Sequence, residues 1–145
     1  MQAFKDTEGR EWIVSVNVTS LKRVKGLLGV DLLSAFEPKS ELLQRLITEP
    51  ILLVDVVYVV CKEQADTRGV TDEDFGRAMA GDPIEAAMEA VFEELASFSP
   101  RTRQLYRKAL AKLSAFQAKA IQLAETKLND PKLESQLQAI LSGNG

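Results

Sequence analysis

Residues 48–64 read TEPILLVDVVYVVCKEQ, and the way this stretch folds decides the architecture. Residues 51–61 are apolar but for Asp55. Valine favours strands, yet periodicity alone does not separate a buried strand from a buried helix in such a run. Length and punctuation do. The segment continues through CKEQA for about sixteen residues before Gly69, too long for a typical strand. Thr48 followed by Glu49 and Pro50 looks like a helix start, since proline is tolerated only in the first turn. The same device recurs at Pro83, Pro100 and Pro131, each directly behind a short polar residue (Asp82, Ser99, Asp130). These signals predict a helix over residues 49–65, buried on nearly all sides. A membrane span needs about 20 apolar residues, and this run has 11 with a charge inside it. Asp55 is expected to reach solvent along a narrow polar stripe with Lys62 and Asp66, or to meet a lysine or arginine, because an unpaired buried carboxylate is costly.

Working outward, AFKDTEGREWIVSVNV predicts a β-hairpin. Trp12, Val14, Val16 and Val18 alternate with Ile13, Ser15 and Asn17, and DTEGR supplies a turn in which Gly9 takes positive φ. Two strands alone are marginal, so one face has to pack on helices. TSLKRVKGLLG predicts a short helix capped by Thr19 or Ser20, with Leu21, Val24, Leu27 and Leu28 on one face and Gly29 as its stop. Ser40 is placed to cap a helix carrying Leu42, Leu43, Leu46 and Ile47. Thr71 and Asp74 fit a capping box, which accounts for the acidic trio Asp72, Glu73 and Asp74 without a metal. Asp82 is expected to cap a helix whose apolar stripe is Ile84, Ala87, Met88, Val91, Phe92 and Leu95.

From residue 100 to 127 the pattern is helical throughout. Ala109, Leu113, Phe116, Ala120 and Leu123 recur at three- and four-residue steps, a seam on an otherwise polar helix. A helix of about 28 residues is some 42 Å long, more than a domain of this size covers. A short terminal helix follows, with Leu133, Leu137, Ile140 and Leu141 apolar. The expected fold is therefore α+β and mostly α-helical. An N-terminal hairpin packs on a helical core in a body spanning residues 1–98, and residues 99–145 form a helical C-terminal extension.

The composition restricts the chemistry. The chain has 145 residues, a net charge of −3, no histidine and a single cysteine, Cys61. One domain with one core suits that length. A Ser-His or Cys-His catalytic pair is excluded for want of histidine, and most zinc ligands are missing. No metal or cofactor is expected, and no phosphate-binding glycine loop occurs. The lone cysteine fits a reducing compartment, and MQAFKDTEGREW has no apolar signal-peptide core, so a cytoplasmic location is the expectation. Residues 99–145 hold eight basic side chains against three acidic ones, so the rest of the chain is strongly acidic. This asymmetry suggests self-association or an acidic partner, or else a solvated helix face.

The order of parts resembles a group of small phage and prophage proteins that are tail-associated or tail assembly chaperone-like. The resemblance spans residues 4–107 and is carried most distinctively by GREW, VDVVYVVC and DEDFGRAMAGD. It implies a non-enzymatic protein that binds tape-measure or tail-tube proteins, and it implies oligomerisation. Such a role requires exposed apolar surface rather than a catalytic pocket. The candidate partner-binding residues are Leu113, Phe116, Ala120 and Leu123 on the long helix, and Leu133, Leu137, Ile140 and Leu141 beyond it. One competing reading is a nucleic-acid-binding accessory protein using Arg101, Arg103, Arg107, Lys108 and Lys112. The acidic net charge, and a helix with only Tyr106 and Phe116 as aromatics, argue against it. Another is an enzyme with paired carboxylates, Asp55 with Asp72 or Glu73, which no spacing favours over capping and solvation.

Overall fold

The computed structural model describes residues 1–128, with side chains up to residue 126. The predicted short terminal helix, including Leu133, Leu137, Ile140 and Leu141, lies outside the described residues. An antiparallel hairpin of β1 (Gln2–Lys5) and β2 (Glu11–Val14) comes first, with Phe4 opposite Trp12. Seven α-helices follow among the described residues: α1 (Val18–Leu28), α2 (Leu42–Thr48), α3 (Pro50–Val60), α4 (Lys62–Arg68), α5 (Asp72–Arg77), α6 (Asp82–Ala96) and α7 (Pro100–Leu128). A 3₁₀ turn at Leu32–Ser34 joins α1 to α2. The fold is thus α+β and mostly helical. The chain divides into two units, Met1–Arg107 and Lys108–Gly145. No described helix is long and apolar enough to cross a membrane.

The hairpin is tied by one carboxylate. Asp6 accepts from the backbone N–H groups of Glu8 and Arg10, both at 2.9 Å, from Arg10 Nε at 2.8 Å and from Trp12 Nε1 at 2.9 Å. Burial alone would raise its pKa, but the hydrogen bonds from Trp12 and Arg10 outweigh this and hold the carboxyl below its ordinary value. Gly9, at φ 79°, closes the turn, as the sequence predicts. Trp12 is fully buried, with its ring edge-on to Phe75 at 5.1 Å and the Arg68 guanidinium 4.8 Å from its centre.

Helix α3 is the centre of the first unit and packs against α1, α2, α5 and α6. Leu53, Val56, Val57, Val59 and Val60 are buried and Leu52, Val54, Asp55 and Tyr58 half-buried, so from Leu52 onward no side of α3 is exposed, while Ile51 in the first turn is 79% exposed. The predicted single helix over residues 49–65 is two helices. It breaks at Cys61 (φ −94°, ψ 10°), whose N–H is shared between the Val57 and Val59 carbonyls. The break lets α4 follow the hairpin edge. Gln64 accepts from Ile13 N at 2.9 Å and donates to Ile13 O at 2.7 Å, while Arg68 donates to Glu11 O at 2.6 Å.

Four caps differ from expectation, and in α2 Glu41 rather than Ser40 holds the N-cap, although Ser40 Oγ accepts from Leu42 N at 3.1 Å. Strand β2 ends at Val14, and Asn17, rather than Thr19 or Ser20, caps α1. Ser20 takes the reciprocal third position: its N–H donates to Asn17 Oδ1 and its Oγ accepts from Asn17 N, both at 2.9 Å. The N-cap of α6 is Gly81, at φ 89°, so Asp82 is the first helical residue instead of the cap. Thr48 closes α2, donating to Gln44 O, and does not start α3. The Thr71–Asp74 capping box, the Gly29 stop and the proline-led starts of α3, α6 and α7 are all present.

Candidate interaction surface

Helix α7 begins on a reciprocal cap. Ser99 Oγ accepts from Thr102 N at 3.2 Å, and Thr102 Oγ1 accepts from Ser99 N at 3.0 Å. Its first two turns belong to the first unit. Thr102 is buried, and the Tyr106 ring lies 4.8 Å from that of Phe36. Tyr106 Oη donates to Glu93 Oε1 at 3.4 Å, and Arg101 pairs with Glu37 at 3.2 Å. Burial first, then the charge of Glu93, pushes the Tyr106 phenol up from its ordinary pKa.

Beyond Arg107 the helix is open. From residue 108 to 126 every side chain is exposed except the half-buried Ala109. Of the predicted seam, Leu113 is 40% exposed, Phe116 70% and Leu123 60%, and Ala120 is exposed as well. Leu110 and Ile121, which lie outside the predicted seam, are also exposed. Their spacing is the signal. Eleven residues are about three helical turns, so the two share one side and widen the apolar face beside Leu113.

The basic residues of α7 do not form one stripe. At 3.6 residues per turn, Arg103 and Arg107 lie on one side, about 140° round the axis from Arg101, Lys108 and Lys112. Tyr106 is committed to Phe36 and Glu93, so it is no stacking platform for a base.

A second feature lies on the first unit. A groove of about 340 Å³ runs between α3, α5 and the start of α6. Ile51, Val54, Met79 and Ile84 supply its apolar walls, and Asp55 and Asp72 are the only charged side chains in its lining. The expected stripe partner of Asp55, Lys62, instead pairs with Asp66 at 3.1 Å. Among the described residues neither Asp55 nor Asp72 has an ion-pair partner. Burial, and next the charge of Asp72, raises the Asp55 pKa. The structure thus brings Asp55 and Asp72 together, while Glu73 pairs with Arg77 at 3.5 Å. Apart from the two carboxylates, the groove is lined by aliphatic side chains and Gly76. No cluster of three or more metal-ligating side chains occurs among the described residues.

Compared with protein-family models, with curated proteins and with solved structures, the chain matches none.

Proposed function

We propose that this chain is a non-enzymatic, tail assembly chaperone-like protein of a phage or prophage. It binds the tape-measure or tail-tube protein through α7 during tail assembly in the host cytoplasm. The observation that carries this reading is the open apolar face of α7, with Phe116 70% exposed on a helix of 29 residues. An uncovered apolar patch of this kind marks an interaction site. A helix offering apolar side chains at three- and four-residue steps suits the long amphipathic helices of a tape measure, which need a soluble companion before assembly. The resemblance of residues 4–107 to tail-associated proteins supports the same reading.

The test is co-expression with the tape-measure and tail-tube proteins of the same phage. The chain is expected to keep one of them soluble and to co-purify with it. Phe116→Asp with Leu123→Asp is expected to abolish this while leaving the melting temperature of the first unit unchanged. Failure to co-purify, or capture that the double variant leaves intact, overturns the reading.

A further inference from the structure

The chain carries two unmatched surfaces of complementary chemistry. One is the α3–α5–α6 groove, apolar in its walls and doubly negative through Asp55 and Asp72. The other is the outer part of α7, where Leu113, Phe116 and Leu123 are exposed. Along one flank of that face run Lys108, Lys112 and Lys119, all within about 40° of one another round the helix axis. All three lysines are exposed and make no ion pair among the described residues. The charge asymmetry along the chain runs the same way: residues 99–145 carry eight basic and three acidic side chains within a molecule of net charge −3.

We propose that the groove receives α7 of a second copy of this chain. The partner copy's apolar face covers Ile51 and Val54, and its lysine flank faces Asp55 and Asp72. The arrangement closes on itself. Each copy offers one groove and one helix, so the pairing is reciprocal, two copies exchanging helices about a twofold axis. The carboxylates give the docking its polarity. Two like charges beside an apolar wall favour a cationic amphipathic helix over a neutral or acidic one. The lysine stems cover apolar surface while their ammonium groups reach the carboxylates. The dimer and the client proposed above use the same face of α7 and therefore exclude each other, a client having to displace the partner copy's helix; the dimer itself does not rest on that client, and no tail protein enters its test.

The experiment uses the full chain in two charge-reversed forms, Asp55→Lys with Asp72→Lys and Lys112→Glu with Lys119→Glu. Each is run by sedimentation velocity in the tens-of-micromolar range, alone and mixed in equal amounts. The unaltered chain is expected to be a dimer that dissociates at high salt. Each reversed form sets like charges against each other and is expected to be monomeric. The mixture restores opposite charges in both grooves and is expected to dimerise again. A monomeric unaltered chain, a reversed form that remains dimeric, or a mixture that stays monomeric overturns the proposal. A reversed form that remains dimeric places the contact between copies on another surface. Circular dichroism checks that each form is folded. Should the lysine-bearing groove fail to fold, Asp55→Asn with Asp72→Asn carries the test. Dimer affinity falling by about tenfold then supports the docking, and an unchanged affinity refutes it.

Discussion

Replacing Asp6 by alanine removes the acceptor shared by four donors in the hairpin turn. The Trp12 indole N–H is the decisive one. Trp12 is fully buried, so its N–H has no route to water once the carboxylate is gone. An orphaned buried donor costs about 1–3 kcal/mol, and charged hydrogen bonds such as that from Arg10 add about 1.5 kcal/mol or more. The two exposed-side backbone donors re-solvate in part, so the expected total is about 3–5 kcal/mol. That is a large part of the ~5–15 kcal/mol that holds a domain together. The assay is urea unfolding followed by far-UV circular dichroism, where the midpoint should fall by about 2 M. The same substitution in a Trp12→Phe background should cost about 1–2 kcal/mol less, because the orphaned donor is no longer there. The pH dependence has a definite sign. The folded-state pKa of Asp6 lies below its ordinary 3.8. Its contribution is therefore complete above the unfolded value and is lost as the pH falls from there through the folded value. An Asp6→Ala penalty under ~1 kcal/mol, or an equal penalty in both backgrounds, would refute the idea that this carboxylate holds the turn through the indole.

Leu53→Asp or Val56→Asp places an unpartnered charge at positions that are 1% and 0% exposed, and either is expected to abolish the cooperative melt seen by circular dichroism, at a cost of several kcal/mol. Asp55→Asn should be mild, and slightly stabilising at neutral pH. The raised pKa of Asp55 means that its ionised form opposes folding, and the gain over the parent should vanish as the pH falls below the ordinary carboxyl value. The Cys61 thiol is buried, and burial pushes it up to about 12 despite Arg68 nearby, so a thiol reagent at neutral pH should modify it only on unfolding. A chain ending at Ser99 loses Thr102, Tyr106 and the Arg101–Glu37 pair and should melt well below one ending at Arg107, which keeps them; equal melting temperatures would show that the first turns of α7 add nothing to the first unit.

Much of this fold is legible in the chain because its punctuation is chemical. Pro50, Pro83 and Pro100 announce helix starts, Thr71 and Asp74 form a reciprocal cap, and Gly9 and Gly29 take positive φ where a turn and a helix end require it. The break at Cys61 is not legible, since a run of valines carries no stop signal and the bend answers to a hairpin distant in sequence. Asn17 is hidden for a different reason. The alternation that marks β2 continues past its end to Val18, so a capping residue looks like a strand position. Asp6 resembles any acidic turn residue until the fold brings the Trp12 indole N–H to 2.9 Å from its carboxylate. On the candidate surface, Leu113, Phe116, Ala120 and Leu123 follow from their spacing, whereas Leu110 and Ile121 lie off the seam. The meeting of Asp55 with Asp72 depends on how α5 lies against α3, which no local pattern encodes.

Gln64 has a consequence for what kind of partner this protein can hold. A two-stranded ribbon ordinarily offers its outer N–H and C=O groups to any extended peptide, which is how strands are recruited and how aggregates begin. Here a single side-chain amide occupies both main-chain groups of Ile13, and Arg68 takes the carbonyl of Glu11. Gln64 therefore stands in for a third strand, and an extended segment finds these ladder positions already filled. With that edge of β2 sealed, recruitment by strand addition is closed off at those positions.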